Sequence, residues 1–292
     1  MPTATLTIPA AARRLVPAAA LLGAIALVVL VGPLLVPHAP ESQSIAERLR
    51  PPTAAHPLGT DGFGRDVLAR LLAGGRVSLA VGLLSMAVAV SVGVLVGALS
   101  GYLGGATDAA LMRLTELVMV FPTFFLIILV VASFGGSLPL LVLVIGLTSW
   151  PVGARILRGE VLRTRDQDFV TAARAIGATG ARILARHVLV NVVSVVIVSA
   201  TIRVGTNILI EAGLSYLGLG VQPPLASWGN MVADGARVIR TDWWLTAIPA
   251  VAIFVTVLGF NLLGEGLRDL FDPRERRVRV AGRRAAMHGS AA

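Results

Sequence analysis

Two absences decide most of the chemistry open to this chain. Its 292 residues include no cysteine, which excludes disulfides, thiolate nucleophiles, Cys-ligated zinc and iron–sulfur clusters. There is no lysine either, all 25 basic residues being arginine. That rules out Schiff-base catalysis and a Walker A loop, whose lysine reaches the β/γ-phosphates, so any ATP must be hydrolysed by another chain. The four histidines are His38, His56, His187 and His288. None falls inside a long apolar run and no such run contains an Asp, so the His–Ser or paired-Asp arrangements of an intramembrane hydrolase are missing. From these residue types the sequence predicts no catalytic residue and no metal site. One polar series stands out: Arg203, Asn207 and Glu211, four residues apart in apolar surroundings. A helix-centre charge costs about 2.5–3.5 kcal/mol on insertion scales and should face protein or water. The three read either as a structural ladder to a neighbouring helix or as a polar lining for a substrate path.

The elements that carry these residues are membrane helices. Hydrophobic residues make up 55% of the chain and charged residues 14%, with a mean hydropathy of +0.82; a soluble domain carries about a quarter charged residues. Apolar runs occupy roughly 15–36, 77–100, 117–134, 138–154, 188–212 and 244–264, and about 20 apolar residues cross a bilayer. The first run is too long for the 7–15-residue core of a signal peptide and reads as a retained span. With the N-terminus inside, the inner segments hold seventeen arginines: two before the first run, one between the second and third, seven in 155–186 and seven from 268 onward. The outer segments hold seven, and Arg203 lies within a span. This bias predicts both termini in the cytoplasm. It also accounts for the net charge of +9 without nucleic acid.

Several segments have mechanical content. Ser85, Ala89, Gly93, Gly97 and Gly101 form a ridge of small residues at four-residue spacing, which lets another helix backbone come close. Residues 61–76 put Val67, Leu68, Leu71 and Leu72 on one side of a short amphipathic helix, suited to the outer membrane surface, where it reads as an anchor for the second span in preference to a ligand contact. In the long basic loop, 166–176 reads as a short helix with Asp168 as N-cap and Phe169, Ala172, Ala173 and Ile176 on one face. Gly177 stops it, and Thr179 caps a second helix over 180–187 that runs into the fifth span. With no obvious core around it, this helix–Gly–helix element suits being gripped by another protein.

The same loop carries a resemblance. Thr171-Ala-Ala-Arg-Ala-Ile-Gly177, nine residues, then His187-Val-Leu-Val190 resembles the coupling loop of ATP-binding-cassette importer permeases. That pattern reads Glu-Ala-Ala, three residues, Gly, nine residues, Ile-x-Leu-Pro; here Thr171 replaces its Glu and Val190 its Pro. Five further segments resemble the dipeptide, oligopeptide and nickel branch of that family: His56-Pro-Leu-Gly-Thr-Asp-Gly-Phe-Gly-Arg-Asp-Val-Leu-Ala-Arg70, Gly101-Tyr-Leu-Gly-Gly105, Glu211-Ala-Gly-Leu-Ser-Tyr-Leu-Gly-Leu-Gly220, Ser227-Trp-Gly-Asn230 and Gly266-Leu-Arg-Asp-Leu-Phe-Asp-Pro273. The pattern is similar to the second, shorter permease of the pair.

The expected fold is therefore all-α, a polytopic membrane protein with six transmembrane helices and the type I ABC importer permease architecture, N-in and C-in. Residues 1–76 would hold the N-terminal tail, first span and outer segment with the amphipathic helix. Residues 77–272 would form the permease core with the coupling loop 160–190, and 273–292 a basic cytoplasmic tail. The resemblance implies a permease subunit importing dipeptides or oligopeptides in the bacterial cytoplasmic membrane, with nickel or another small solute as the alternative cargo. An ion-coupled carrier is a weaker reading, resting on Glu211 alone. Implied partners are a homologous permease, two ATPase subunits that bind ATP and Mg, and an extracytoplasmic binding protein that would touch loop 213–242; this chain would bind no cofactor. Thr171, Ala172, Ala173, Arg174 and Gly177 would couple to the ATPases, while Arg203, Asn207 and Glu211 are the path-lining candidates.

Overall fold

The computed structural model describes residues 10–271, with side chains from residue 14 onward; the tail 273–292 lies outside the described residues. Among the described residues ten α-helices follow one another: α1 Ala10–Leu35, α2 Val67–Leu103, α3 Gly105–Val120, α4 Thr123–Phe134, α5 Leu138–Arg165, α6 Asp168–Ala175, α7 Gly180–Ile183, α8 Leu189–Tyr216, α9 Trp228–Ala236 and α10 Trp244–Phe271. A π turn over Leu184–Val188 joins α7 to α8. Of these described residues, five stretches are long and apolar enough to cross a membrane, or six if the bent pair α3–α4 counts as one.

That pair corrects one expectation. The apolar run 117–134 is not a straight span: α3 and α4 meet at 77°. Pro122 supplies no backbone N–H, and its ring pushes the preceding residue out of helical geometry. Phe121 accordingly sits at φ −84°, ψ 130°. Elsewhere proline is accommodated. Pro33 lies inside α1, where its missing N–H leaves the carbonyl of Val29 without its helical donor. Arg76 supplies the replacement, donating from Nε to Val29 O at 3.0 Å.

A second correction concerns residues 61–76, which do not form a separate helix on the membrane surface. Asp66 caps α2, its side chain accepting from Ala69 N at 2.7 Å, and the helix then runs unbroken for 37 residues through the expected boundary at 76/77. At 1.5 Å per residue this is about 55 Å, well beyond a ~30 Å hydrocarbon core, so α2 projects from the membrane. Val67 packs with Met231 and Leu245, while Gly74 lets the backbone at Ser227 approach and Gly75 the ring of Trp228. Loop 213–242 therefore contains a helix, α9, laid against the projecting end of α2. A reciprocal capping box between Ser227 and Asn230 starts α9.

The ridge on α2 is the central seam of the fold. Ser85, Ala89, Gly93, Gly97 and Gly101 are all buried, and they face α5, which runs parallel to α2. A Cβ on Gly97 would stand 2.6 Å from Ala154 O, and one on Gly101 2.9 Å from Arg158 O. From the other side, Gly146 of α5 receives Val88. Small residues here set the distance between the two backbones, as close packing without a hydrophobic drive requires.

Candidate functional site

Loop 166–188 is fastened to the bundle, contrary to the expectation that no core surrounds it. Val170, Ala173 and Ile183 are buried with Ala98 of α2 and Leu157 and Val161 of α5. The base beneath them is pinned electrostatically. Arg165 donates to Gly101 O at 2.7 Å at the end of α2, and Arg158 binds Asp108 of α3 through Nε and Nη2, both at 2.6 Å. Asp108 also accepts from the Ser100 hydroxyl. Gly104 and Gly105, both at positive φ, provide the turn that brings Asp108 back over α2.

The grouping of Phe169, Ala172, Ala173 and Ile176 on one face is corrected. The buried stripe is Val170 and Ala173, one turn apart and directed at the bundle. Thr171, Ala172 and Arg174 are exposed, as is Ile176 at 86%, and Phe169 is 37% exposed. So α6 is apolar on two sides: a narrow stripe holds it down and a wider one faces out. Asp168 is the first helical residue, not the cap; Gln167 holds the N-cap position, and neither Gln167 nor Thr179 makes a side-chain capping bond.

Gly177 behaves as its position predicts. It sits at φ +82°, and Ala178 N bonds Ala173 O at 3.1 Å while Gly177 N bonds Arg174 O at 3.0 Å. This is a Schellman motif, in which the residue after the C-cap takes the left-handed conformation that glycine adopts without penalty. Its α-carbon faces open space. The next helix starts at Gly180 and continues through the π turn into α8, giving one apolar helix over Gly180–Tyr216. Val190, where the coupling-loop pattern carries Pro, lies in the first turn of α8 and is exposed.

The Arg203–Asn207–Glu211 series is separated by the structure. Arg203 lines an open groove between α2, α5 and α8 with Gly93, Ser149, Trp150 and Gly153, and a second one toward α3 and α4 with Met119 and Thr148. Asn207 is fully buried and its side-chain amide has no partner among the described residues. Glu211 is also fully buried. It accepts from Ser78 of α2 at 3.0 Å and from Ser215 at 2.6 Å. Those hydroxyls in turn accept from Trp228 N of α9 and Val221 N. Glu211 thus ties α2, α8 and α9 together and lines no groove. Helical geometry explains the divergence: at about 100° per residue, eight residues turn the side chain roughly 80° away. No signal at Ser78 or Ser215 in the sequence identified them as Glu211's partners, because they are brought to it only by tertiary packing.

Comparison with known proteins agrees with this arrangement. The family described as the binding-protein-dependent transport system inner membrane component matches residues 93–277, more than half of the chain. The chain is 44% identical over 254 residues to the oligopeptide transport system permease protein OppC of Escherichia coli K12, covering 86% of this chain and 84% of the relative. It is 39% identical over 248 residues to the probable D,D-dipeptide transport system permease protein DdpC of the same organism, covering 85% and 83%. To the dipeptide transport system permease protein DppC of Bacillus subtilis it is 38% identical over 248 residues, covering 85% and 78%. With its long apolar helices seamed along α2 and α5, this chain belongs to the family of multi-pass inner-membrane components of binding-protein-dependent transport systems.

Proposed function

We propose that the chain is one of two homologous permease subunits of an ATP-driven peptide importer in the bacterial cytoplasmic membrane. The relatives named above are peptide permeases, and nothing in these matches favours nickel. The arginine bias places the loop 166–188 in the cytoplasm, and α9 with the projecting end of α2 outside. Two ATPase subunits, which hold ATP and Mg, dock beneath the permeases, and an extracytoplasmic binding protein delivers peptide to the α9 face.

The observation that carries this reading is the mounting of α6. Its inner stripe is locked onto α2 and α5, and Phe169, Ala172 and Ile176 are left bare beside Thr171 and Arg174. A partner gripping that outer stripe moves the seam helices with it. ATPase closure then shifts a two-state bundle by binding one state better than the other. Thr171, where the coupling-loop pattern carries Glu, contacts the ATPase as a neutral hydroxyl.

Arg203 is the charged residue lining the groove that peptide traverses. Glu211, engaged by Ser78 and Ser215, offers no ion-binding route, which disfavours an ion-coupled carrier. The proposal is tested in reconstituted complex by replacing Ile176 with Asp. Binding-protein-stimulated ATPase activity and uptake should fall together at normal membrane abundance; unchanged stimulation would remove α6 from the coupling path.

A further inference from the structure

We propose that His38, His56 and Asp66 form a divalent-metal site of zinc type at the rim of the bundle, where the segment after α1 meets the cap of α2. Their ligating atoms, one per residue, all lie within 4.8 Å of one another. His56 Nδ1 is 2.8 Å and His38 Nδ1 3.9 Å from Asp66 Oδ2. Ligands about 2.0–2.2 Å from a tetrahedral Zn2+ stand roughly 3.3 Å apart, so small side-chain shifts bring the three onto one ion.

The surroundings already hold the donors as a metal site would. Asp66 is 3% exposed and its other oxygen is committed to Ala69 N, which fixes the carboxylate plane and turns Oδ2 toward the histidines. His56 is 5% exposed. Its carbonyl accepts from Thr53 N and Gly59 N, both at 2.9 Å, and its own N–H donates to Thr53 Oγ1 at 3.1 Å. With Nδ1 facing Asp66, the other ring nitrogen, Nε2, lies 3.5 Å from Glu47 Oε2. A carboxylate behind a ligating imidazole orients the ring and raises its basicity. Glu47 is itself steadied by Arg50 at 3.4 Å. His38 completes the set from the open side: its ring lies over that of His56 at 4.6 Å between centroids, and its side chain is 37% exposed. That exposure leaves room for water as fourth ligand.

Two imidazoles and one carboxylate with no thiolate suit Zn2+, with Ni2+ and Cu2+ as competitors. Bound there, the ion would link the stretch leaving α1 to the start of α2, adding to the His56–Asp66 hydrogen bond and the Val67 N–Gly59 O bond that already join them. None of the three residues lines the Arg203 groove, so the ion is a resident of the rim and not cargo. The site depends on neither the peptide nor the ATPase reading.

The experiment uses the full chain, purified in detergent without a polyhistidine tag, stripped with chelator and titrated with Zn2+ and, separately, Co2+. One ion per chain is expected, with visible Co2+ bands of a tetrahedral N/O site and a Zn2+-dependent rise in unfolding temperature. His38→Ala leaves the His56–Asp66 bond in place and should weaken Zn2+ binding by more than about 100-fold, beyond the 10–100-fold typical of an outer-shell change. Glu47→Gln should weaken it about tenfold, and His187→Ala with His288→Ala should leave it unchanged. Absence of stoichiometric Zn2+ in the wild type, or undiminished binding in His38→Ala, would overturn the site.

Discussion

At the α9 end of the bundle, charge is closed upon charge. Asp61 binds Arg65 Nε at 2.7 Å and lies 3.4 Å from Arg70, while Asp234 of α9 reaches Arg65 at 3.1 Å and Arg70 at 3.8 Å. Asp61 also accepts from Phe63 N and Arg65 N, and Glu211 lies beneath with its own hydroxyl partners. At the α6 end a thin apolar stripe holds a short helix down, and a second stripe faces out. Ion pairs there, such as Arg158–Asp108, brace the base, and among the described residues none involves α6. The two ends place their strongest interactions differently. The α9 end pairs its carboxylates with its guanidinium groups across α2 and α9, with Arg70 Nη1 left without a partner among the described residues; the α6 end leaves Ile176 and Phe169 uncovered.

Variants should separate the two ends by what they damage, abundance or coupling. The largest expected loss of folded protein follows Asp61→Ala, which leaves two buried guanidinium groups to share Asp234. Breaking a buried pair from one side costs about 3–5 kcal/mol, so membrane abundance, read by immunoblot, should collapse and uptake with it. Next comes Gly97→Leu at the seam, where the first added carbon meets Ala154 O at 2.6 Å. Overpacking costs typically about 1–3 kcal/mol, and the unfolding temperature in detergent should drop while some protein still inserts. Normal thermal stability with Leu at 97 would mean that α2 and α5 are not held at the distance described.

Gly177→Leu should have a smaller effect on folding and a greater one on transport. The left-handed geometry costs a side chain about 1–2 kcal/mol, and the open space around Gly177 adds no clash. Abundance should stay near normal. The angle between α6 and α7 would change, and peptide uptake and binding-protein-stimulated ATPase activity, measured on the same preparations, should fall at least tenfold. Smallest in its effect on stability is Arg203→Leu, because the guanidinium lines a groove and has no ion-pair partner among the described residues. Abundance should be unchanged or raised, with uptake reduced several-fold; full uptake would detach Arg203 from the substrate path.

Much of this division was legible from residue type and spacing. Four-residue spacing of small residues from Ser85 to Gly101 can serve only a close helix contact, and α5 makes it. Gly177, between a helical pattern and a fresh helix start, reads as a left-handed stop because few other residues tolerate that geometry. Where the reading failed, the missing information lay elsewhere in the chain. Residues 61–76 show the same apolar pattern whether they lie on lipid or begin a long helix, and what decides is α9, some 160 residues away. On α6, apolar residues cover both Val170–Ala173 and Phe169–Ala172–Ile176, and only the position of α2 and α5 says which stripe is inside. Spacing put Glu211 near Arg203, but the 40° left over at each four-residue step carried it to a different neighbour. The break at Pro122 was hidden by the tolerance of membrane helices for proline, which α1, α5 and α10 all display.

In the proposed importer the exposed stripe of α6 is a contact surface for the ATPase subunits. Because the chain contains no cysteine, Ile176→Cys introduces a single thiol, as does Leu225→Cys at the opposite end, where Leu225 is 41% exposed. In membranes carrying the complete importer, with a thiol engineered into the ATPase surface, oxidation should join the ATPase to position 176 and not to position 225. The yield at 176 should change between ATP-bound and nucleotide-free states. Absence of any cross-link at 176, or equal cross-linking at 225, would contradict the assignment of this loop as the coupling element.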